Sequence, residues 1–303
     1  MTSPPSGAVL ETLIPSSHDL GDFTVRRSLP ARTRTMVGPF VFYDEAGPAT
    51  LAPSKGIDVR PHPHIGLATV TYMLKGAFLH RDSLGSTQLI EPGAVNLMTA
   101  GRGIVHSERS PDDARAAGGD LWAVQTWLAL PDGQEERDPA FEHVPQARLP
   151  VIAGDGARAR IIMGTLWGET APVNTYAGTI YADIALEPGG AIPIDALADE
   201  RALYVLSGEA SVNGEALAPG ALHVLRPGVA VTLRSQSGAR VMLCGGEAFA
   251  TPRHVWWNFV SSSGERIGQA REDWEAMRFP LIPGDDKEHI PLPQGRPKTV
   301  SYP

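Results

Sequence analysis

Cysteine is nearly absent: Cys244 is the only one in 303 residues. A single thiol excludes an internal disulfide and every cysteine-cluster metal site. It lies in VMLCGG, an apolar run that reads as a buried strand, where a thiol behaves as a small apolar side chain. Aromatic residues are scarce, at 7% of the chain. No run of about 18 consecutive apolar residues occurs, which leaves no candidate membrane span. Basic residues are outnumbered, 26 against 34, for a formal net charge of −8. Gripping phosphates needs clustered Lys and Arg, so direct nucleic-acid binding is not expected. The opening MTSPPSGAVLETLIPSSHDLG lacks a basic stretch followed by an apolar one. With neither an export signal nor a disulfide framework, a cytoplasmic protein is expected.

Turn formers are abundant instead. There are 32 glycines and 27 prolines, about a fifth of the chain, against a background of about 12%. Between them lie short apolar and alternating runs such as LATVTYML, WAVQTWLALP, GTIYADIALEP and ALYVLSGEASV. Alternation with period 2, punctuated at short intervals, predicts an all-β sandwich or barrel. A charged, proline-bearing stretch without alternation predicts a linker over 134–147, separating an N-terminal domain (1–133) from a C-terminal one (148–303). The two sides repeat each other. YMLKG at Tyr72 matches YVLSG at Tyr204, and Pro92-Gly93-Ala94 matches Pro219-Gly220-Ala221. Nearly constant offsets, 132 and 127 positions, point to duplication of one β-unit. One helix is expected near 263–279, with Ser262 and Glu265 at capping-box spacing and Ile267, Ala270, Trp274 and Met277 on one face. A Pro-rich tail follows, expected to lie along the body, and helix and tail together are expected to brace the two barrels.

The chemistry concentrates in two short segments. RPHPHIG sets His62 and His64 two residues apart, with Pro63 arguing against a helix interior. GRGIVHSE sets Glu108 two residues after His106. In extended chain, residues i and i+2 share a face. Two neighbouring strands would therefore converge three imidazoles and a carboxylate, a set that suits Fe, Ni, Cu, Mn or Zn. A purely structural zinc is disfavoured because such sites are usually cysteine-rich. Carried across the repeat, His62, His64, His106 and Glu108 fall opposite Ile194, Ala196, Leu233 and Ser235. The proposed ligands are thus missing from the second copy, which predicts one metal per chain, in the first barrel. His80 and Asp82 in HRDS read as solvent-facing turn residues, and His223 as a satisfied core histidine.

RPHPHIGLATVTYMLKGAFLHRDSLG, MTAGRGIVHSE and QTWLALP together resemble the pirin family, and RHVWWNFVSSSGERIGQAREDWEAMRFPLIPGD resembles a C-terminal stretch of pirin-related sequences. The resemblance implies two tandem cupin (jelly-roll) barrels with one divalent metal in the first, commonly Fe(II), on His62, His64, His106 and Glu108. Gln125 occupies a family position near the metal pocket, where an amide would touch substrate, water or a ligand. Two positions depart from the family: Ala68 replaces a frequent Glu, and Ile65 a frequent Arg. Several pirin-like proteins cleave quercetin with dioxygen, which implies a flavonol or related phenol as substrate and Glu108 as its base. The resemblance also carries an alternative, a redox-responsive iron-binding regulator acting through protein–protein contacts.

Overall fold

The computed structural model describes residues 7–19, 23–294 and 300–302. The end of the Pro-rich tail, 295–299 and 303, lies outside them. Strands dominate and two helices appear, Asp112–Ala117 and Gly264–Glu275. No helix among the described residues is long and apolar enough to cross a membrane.

The chain forms two compact units, and neither is a continuous half of the sequence. One contains Val41–Gln146 together with Ser17–Arg27 and Phe249–Pro303; the other contains Ala147–Ala248 together with Met1–Ser16 and Ser28–Phe40. The linear division expected from sequence placed the late helix and tail with the second barrel. They group with the first, because their apolar side chains pack on it: Ile267, Ala270, Trp274, Phe279 and Ile282 form one buried cluster with Ile65 and Val105. The tail does lie along this barrel, where Ile290 N donates to Pro61 O at 2.8 Å. The expected linker also contains a strand, Ala140–Val144, which pairs with Val95–Thr99 at the edge of a sheet.

In the first barrel a four-stranded sheet, in the order Asp58–His64, Ile104–Arg109, Phe78–Asp82, Thr87–Ile90, belongs with a seven-stranded sheet centred on Leu67–Lys75 and Gly119–Ala129. The second barrel repeats both orders: Ala191–Ile194, Val231–Arg234, Ala210–Val212, Glu215–Leu217 form its small sheet. The matched turns recur too. Gly76 and Gly208 both have positive φ, +78° and +77°, and a Cβ at either would sit within 2.6 Å of a carbonyl oxygen.

Pairing register corrects the repeat alignment by two residues at one strand. His106 faces His62 and Ile104 faces His64, while Leu233 faces Ile192 and Val231 faces Ile194. The counterparts of His62 and His64 are therefore Ile192 and Ile194, not Ile194 and Ala196. The sequence offset slipped because the second copy carries two more residues between this strand and the next. The same reasoning matches His80 and Asp82 with Ala210 and Val212. Five of these counterparts, Ile192, Ile194, Ala210, Val212 and Leu233, belong to the apolar core of the second barrel. In the first, that volume is polar, and the apolar core retreats to a cluster around Met73, Phe78 and Leu121.

Candidate metal centre

The strand Asp58–His64 turns His62 and His64 to the same side, and its partner Ile104–Arg109 brings His106 opposite them. All three are buried, and one ring nitrogen of each lies within 4.8 Å of the others. The Nε2 atoms of His64 and His106 face each other at 3.1 Å. His62 donates Nδ1–H to the Arg60 carbonyl at 2.8 Å, and His64 donates Nδ1–H to the Asn258 carbonyl at 3.2 Å. A carbonyl only accepts, so both rings carry their proton on Nδ1 and leave Nε2 as a lone pair. His106 Nδ1 is buried with no hydrogen-bond partner.

Burial holds all three imidazoles below their ordinary pKa. His64 and His106 lie well below it, pushed further by neighbouring rings; at His62, the Arg60 carbonyl and the Glu108 charge oppose the burial. Three buried neutral imidazoles with one ring nitrogen of each brought together, two of them with Nε2 free as a lone pair, fit a divalent first-row metal.

Glu108 is buried beside this group, and its oxygens lie outside the 4.8 Å cluster. Oε1 accepts from Thr71 Oγ1 at 3.0 Å and Oε2 from Gln125 Nε2 at 2.8 Å. Gln125 thus reaches the centre through the carboxylate. Thr71 was not anticipated from sequence; it stands across from Gln125 in the neighbouring strand.

His80 and Asp82 are buried, not turn-exposed. His80 pairs opposite Glu108 and Asp82 opposite His106, so both face the barrel interior. His80 Nε2 donates to Asp82 Oδ2 at 3.0 Å, and the His80 ring stacks on Phe141 and lies 5.4 Å from the His106 ring. Burial alone would raise the Asp82 carboxyl, but hydrogen bonds from His80 and Ser86 hold it below the usual range. The alternation Phe78, His80, Asp82 carried the signal, since residues sharing a face with a core Phe also face inward. Trp127 closes one side of the cluster, edge-on to His64 at 5.0 Å. His223 is buried as expected, bonded to Thr12 Oγ1 and Ala218 O, both at 3.0 Å.

Paired jelly-roll barrels with a histidine cluster inside the first define a two-barrel cupin. Residues 22–128 match the family described as Pirin and residues 181–280 the Pirin C-terminal cupin domain. The chain is 46% identical over 279 residues to a pirin-like protein of Caulobacter vibrioides, spanning 91% of this chain and 96% of that one. It therefore belongs to the pirin family. Among solved structures, quercetin 2,3-dioxygenase from Acinetobacter baumannii superimposes with a TM-score of 0.87 at 38% identity, covering 95% of this chain and 98% of that one. Bacterial pirin YhhW from Escherichia coli, solved with nickel(II), superimposes with a TM-score of 0.62 at 18% identity, over 77% of this chain and 96% of that one, a likeness of fold.

Proposed function

We propose that this protein is an iron(II)-dependent dioxygenase that opens the central ring of flavonols such as quercetin, consuming dioxygen and releasing carbon monoxide. One observation carries the reading. Three buried imidazoles bring one ring nitrogen each within 4.8 Å of the others, and a hydrogen-bonded carboxylate stands two residues beyond the third. The likeness to the Acinetobacter dioxygenase supports the substrate class.

His62, His64 and His106 would hold the metal, with Glu108 as the fourth ligand or its immediate neighbour. Iron(II) bound there would supply a Lewis acid for the substrate oxygen and one-electron chemistry toward dioxygen. Glu108 takes the proton of the flavonol 3-hydroxyl. Each of its oxygens already accepts one hydrogen bond and keeps a further lone pair for this proton. Thr71 and Gln125 fix the carboxylate in place before substrate arrives, and Trp127 keeps one flank of His64 dry. A protein partner is not required by this reading.

The test is an aerobic assay of iron(II)-loaded protein with quercetin, against His62→Ala and Glu108→Ala. The wild type should consume dioxygen and release carbon monoxide in equal amounts, and both variants should fall to the rate of free iron. Wild-type cleavage no faster than free iron removes the proposal.

A further inference from the structure

We infer that the hairpin at 253–261 positions the metal-binding ring of His64, so that the centre in the first barrel is set from 194 residues further along the chain. The inference rests on reading the three histidines as metal ligands. Metal-bound imidazoles normally donate their second N–H to an acceptor that fixes tautomer and ring orientation. His62 finds its acceptor on its own strand, at Arg60, and His106 has none. His64 is the only one of the three whose acceptor comes from a distant segment, the carbonyl of Asn258.

That carbonyl sits at the tip of a tight turn, where Trp256 pairs with Phe259 across Trp257 and Asn258. Trp257 adopts φ +52°, a left-handed backbone that bulky residues seldom take. Strain of this kind persists only where surrounding contacts impose it. Here they do. Val260 N donates to Ile65 O at 3.1 Å, immediately beyond His64. Position 66 must be glycine, because a Cβ there would lie 1.9 Å from the Val260 oxygen.

A buried lock holds the hairpin from below. Glu135 accepts from Ser261 Oγ at 3.0 Å, from Ser262 N at 2.9 Å and from Ser262 Oγ at 3.0 Å. Its carboxylate also meets the fully buried Arg253 at 3.0 Å. Arg253 donates in turn to the carbonyl of Leu130, whose N–H donates to Gly66 O. The chain of bonds closes on the segment that carries His64. Glu135 and Arg253 are thus positioning residues, acting on His64 through the hairpin.

The test titrates the full-length protein with cobalt(II) under anaerobic conditions and reads both the dissociation constant and the visible ligand-field bands. Glu135→Gln and the double variant Ser261→Ala/Ser262→Ala should each weaken cobalt binding about 10-fold or more, the scale of a lost outer hydrogen bond at a ligating histidine, and should shift the bands. Leu233→Ala, which opens the apolar core of the second barrel, should lower Tm and leave the bands alone. Folded lock variants with wild-type affinity and bands overturn the inference. If Glu135→Gln does not fold, the serine variant decides. A wild type that binds no cobalt instead overturns the metal-centre reading, and this inference with it.

Discussion

Glu108 shows how one buried carboxylate is held in place by its neighbours. Its two oxygens are held by Thr71 and Gln125, which offsets the cost of burying the charge. Glu108→Gln keeps the volume and one acceptor oxygen, but its amide nitrogen meets a donor where an oxygen stood. The expected stability loss is about 1–3 kcal/mol, that of one unsatisfied buried group, read by urea unfolding. Turnover of quercetin should fall by at least about 10–100-fold, the scale seen when a ligand or its support is lost. Unchanged turnover would remove Glu108 from the chemistry. His62 and His64 are the complementary case, since each presents one lone pair and has no other task. The double variant His62→Ala/His64→Ala should fold and carry no metal by elemental analysis after dialysis; metal retained at full occupancy would place the centre elsewhere.

Strands place the site, but a helix and an irregular tail hold it. The expected capping role of Ser262 passes to Ser263, whose side chain accepts from Arg266 N, because Glu135 has already engaged Ser262. The helix then ends at Glu275, and Met277, expected on its apolar face, lies beyond it with positive φ and an exposed side chain. Trp274 is buried in a cluster with Ile65, Val105 and Phe279, and its Nε1 donates to Ile290 O at 3.0 Å. Trp274→Ala should cost about 3–5 kcal/mol, as large-to-small core substitutions do, measured by chemical denaturation; an unchanged midpoint would contradict its place in that core.

In the same C-terminal segment, Asp285 receives two hydrogen bonds from Arg109, at 2.8 and 2.9 Å, and one from Ser107 at 2.7 Å. Hydrogen bonding to Arg109 holds the Asp285 carboxyl below its ordinary pKa against the pull of burial. A depressed carboxylate pKa stabilises the fold above the unfolded value, near 3.9, and the contribution is lost as pH falls through the folded value. Asp285→Asn should therefore be less stable than wild type at pH 7, and the gap should narrow at about pH 3. A gap of equal size at both pH values would show that the charge contributes nothing.

At the scale of the whole molecule, duplication let one copy specialise. A barrel interior filled by Ile192, Ile194, Ala210, Val212 and Leu233 makes a core without help. The first copy replaces the corresponding positions with His62, His64, His80, Asp82 and His106 and needs a hydrogen-bonded network and a bound ion to keep that volume filled. Metal analysis of purified protein should therefore give one divalent ion per chain; a stoichiometry near two would show a second centre that the apolar interior of the second barrel does not offer.

The sequence alone determined what depends on local spacing. Alternation and turn residues dictate strands, two-residue spacing puts His62 with His64 and His106 with Glu108 on common faces, and a repeated YxLxG and PGA announce two copies of one barrel. These are short-range consequences of backbone geometry, so they are legible without a fold. The tertiary structure decided what depends on partners far apart in the chain. That His80 and Asp82 turn inward follows from the register of their strand against Ile104–Arg109. That Ile192 and Ile194 replace the first two histidines follows from register as well. That the C-terminal segment belongs to the first barrel, and sets Asn258 O on His64, follows from where its buried side chains find a surface to cover. Hydrogen bonds of this kind have no spacing to read, because their partners are brought together only when the whole unit folds.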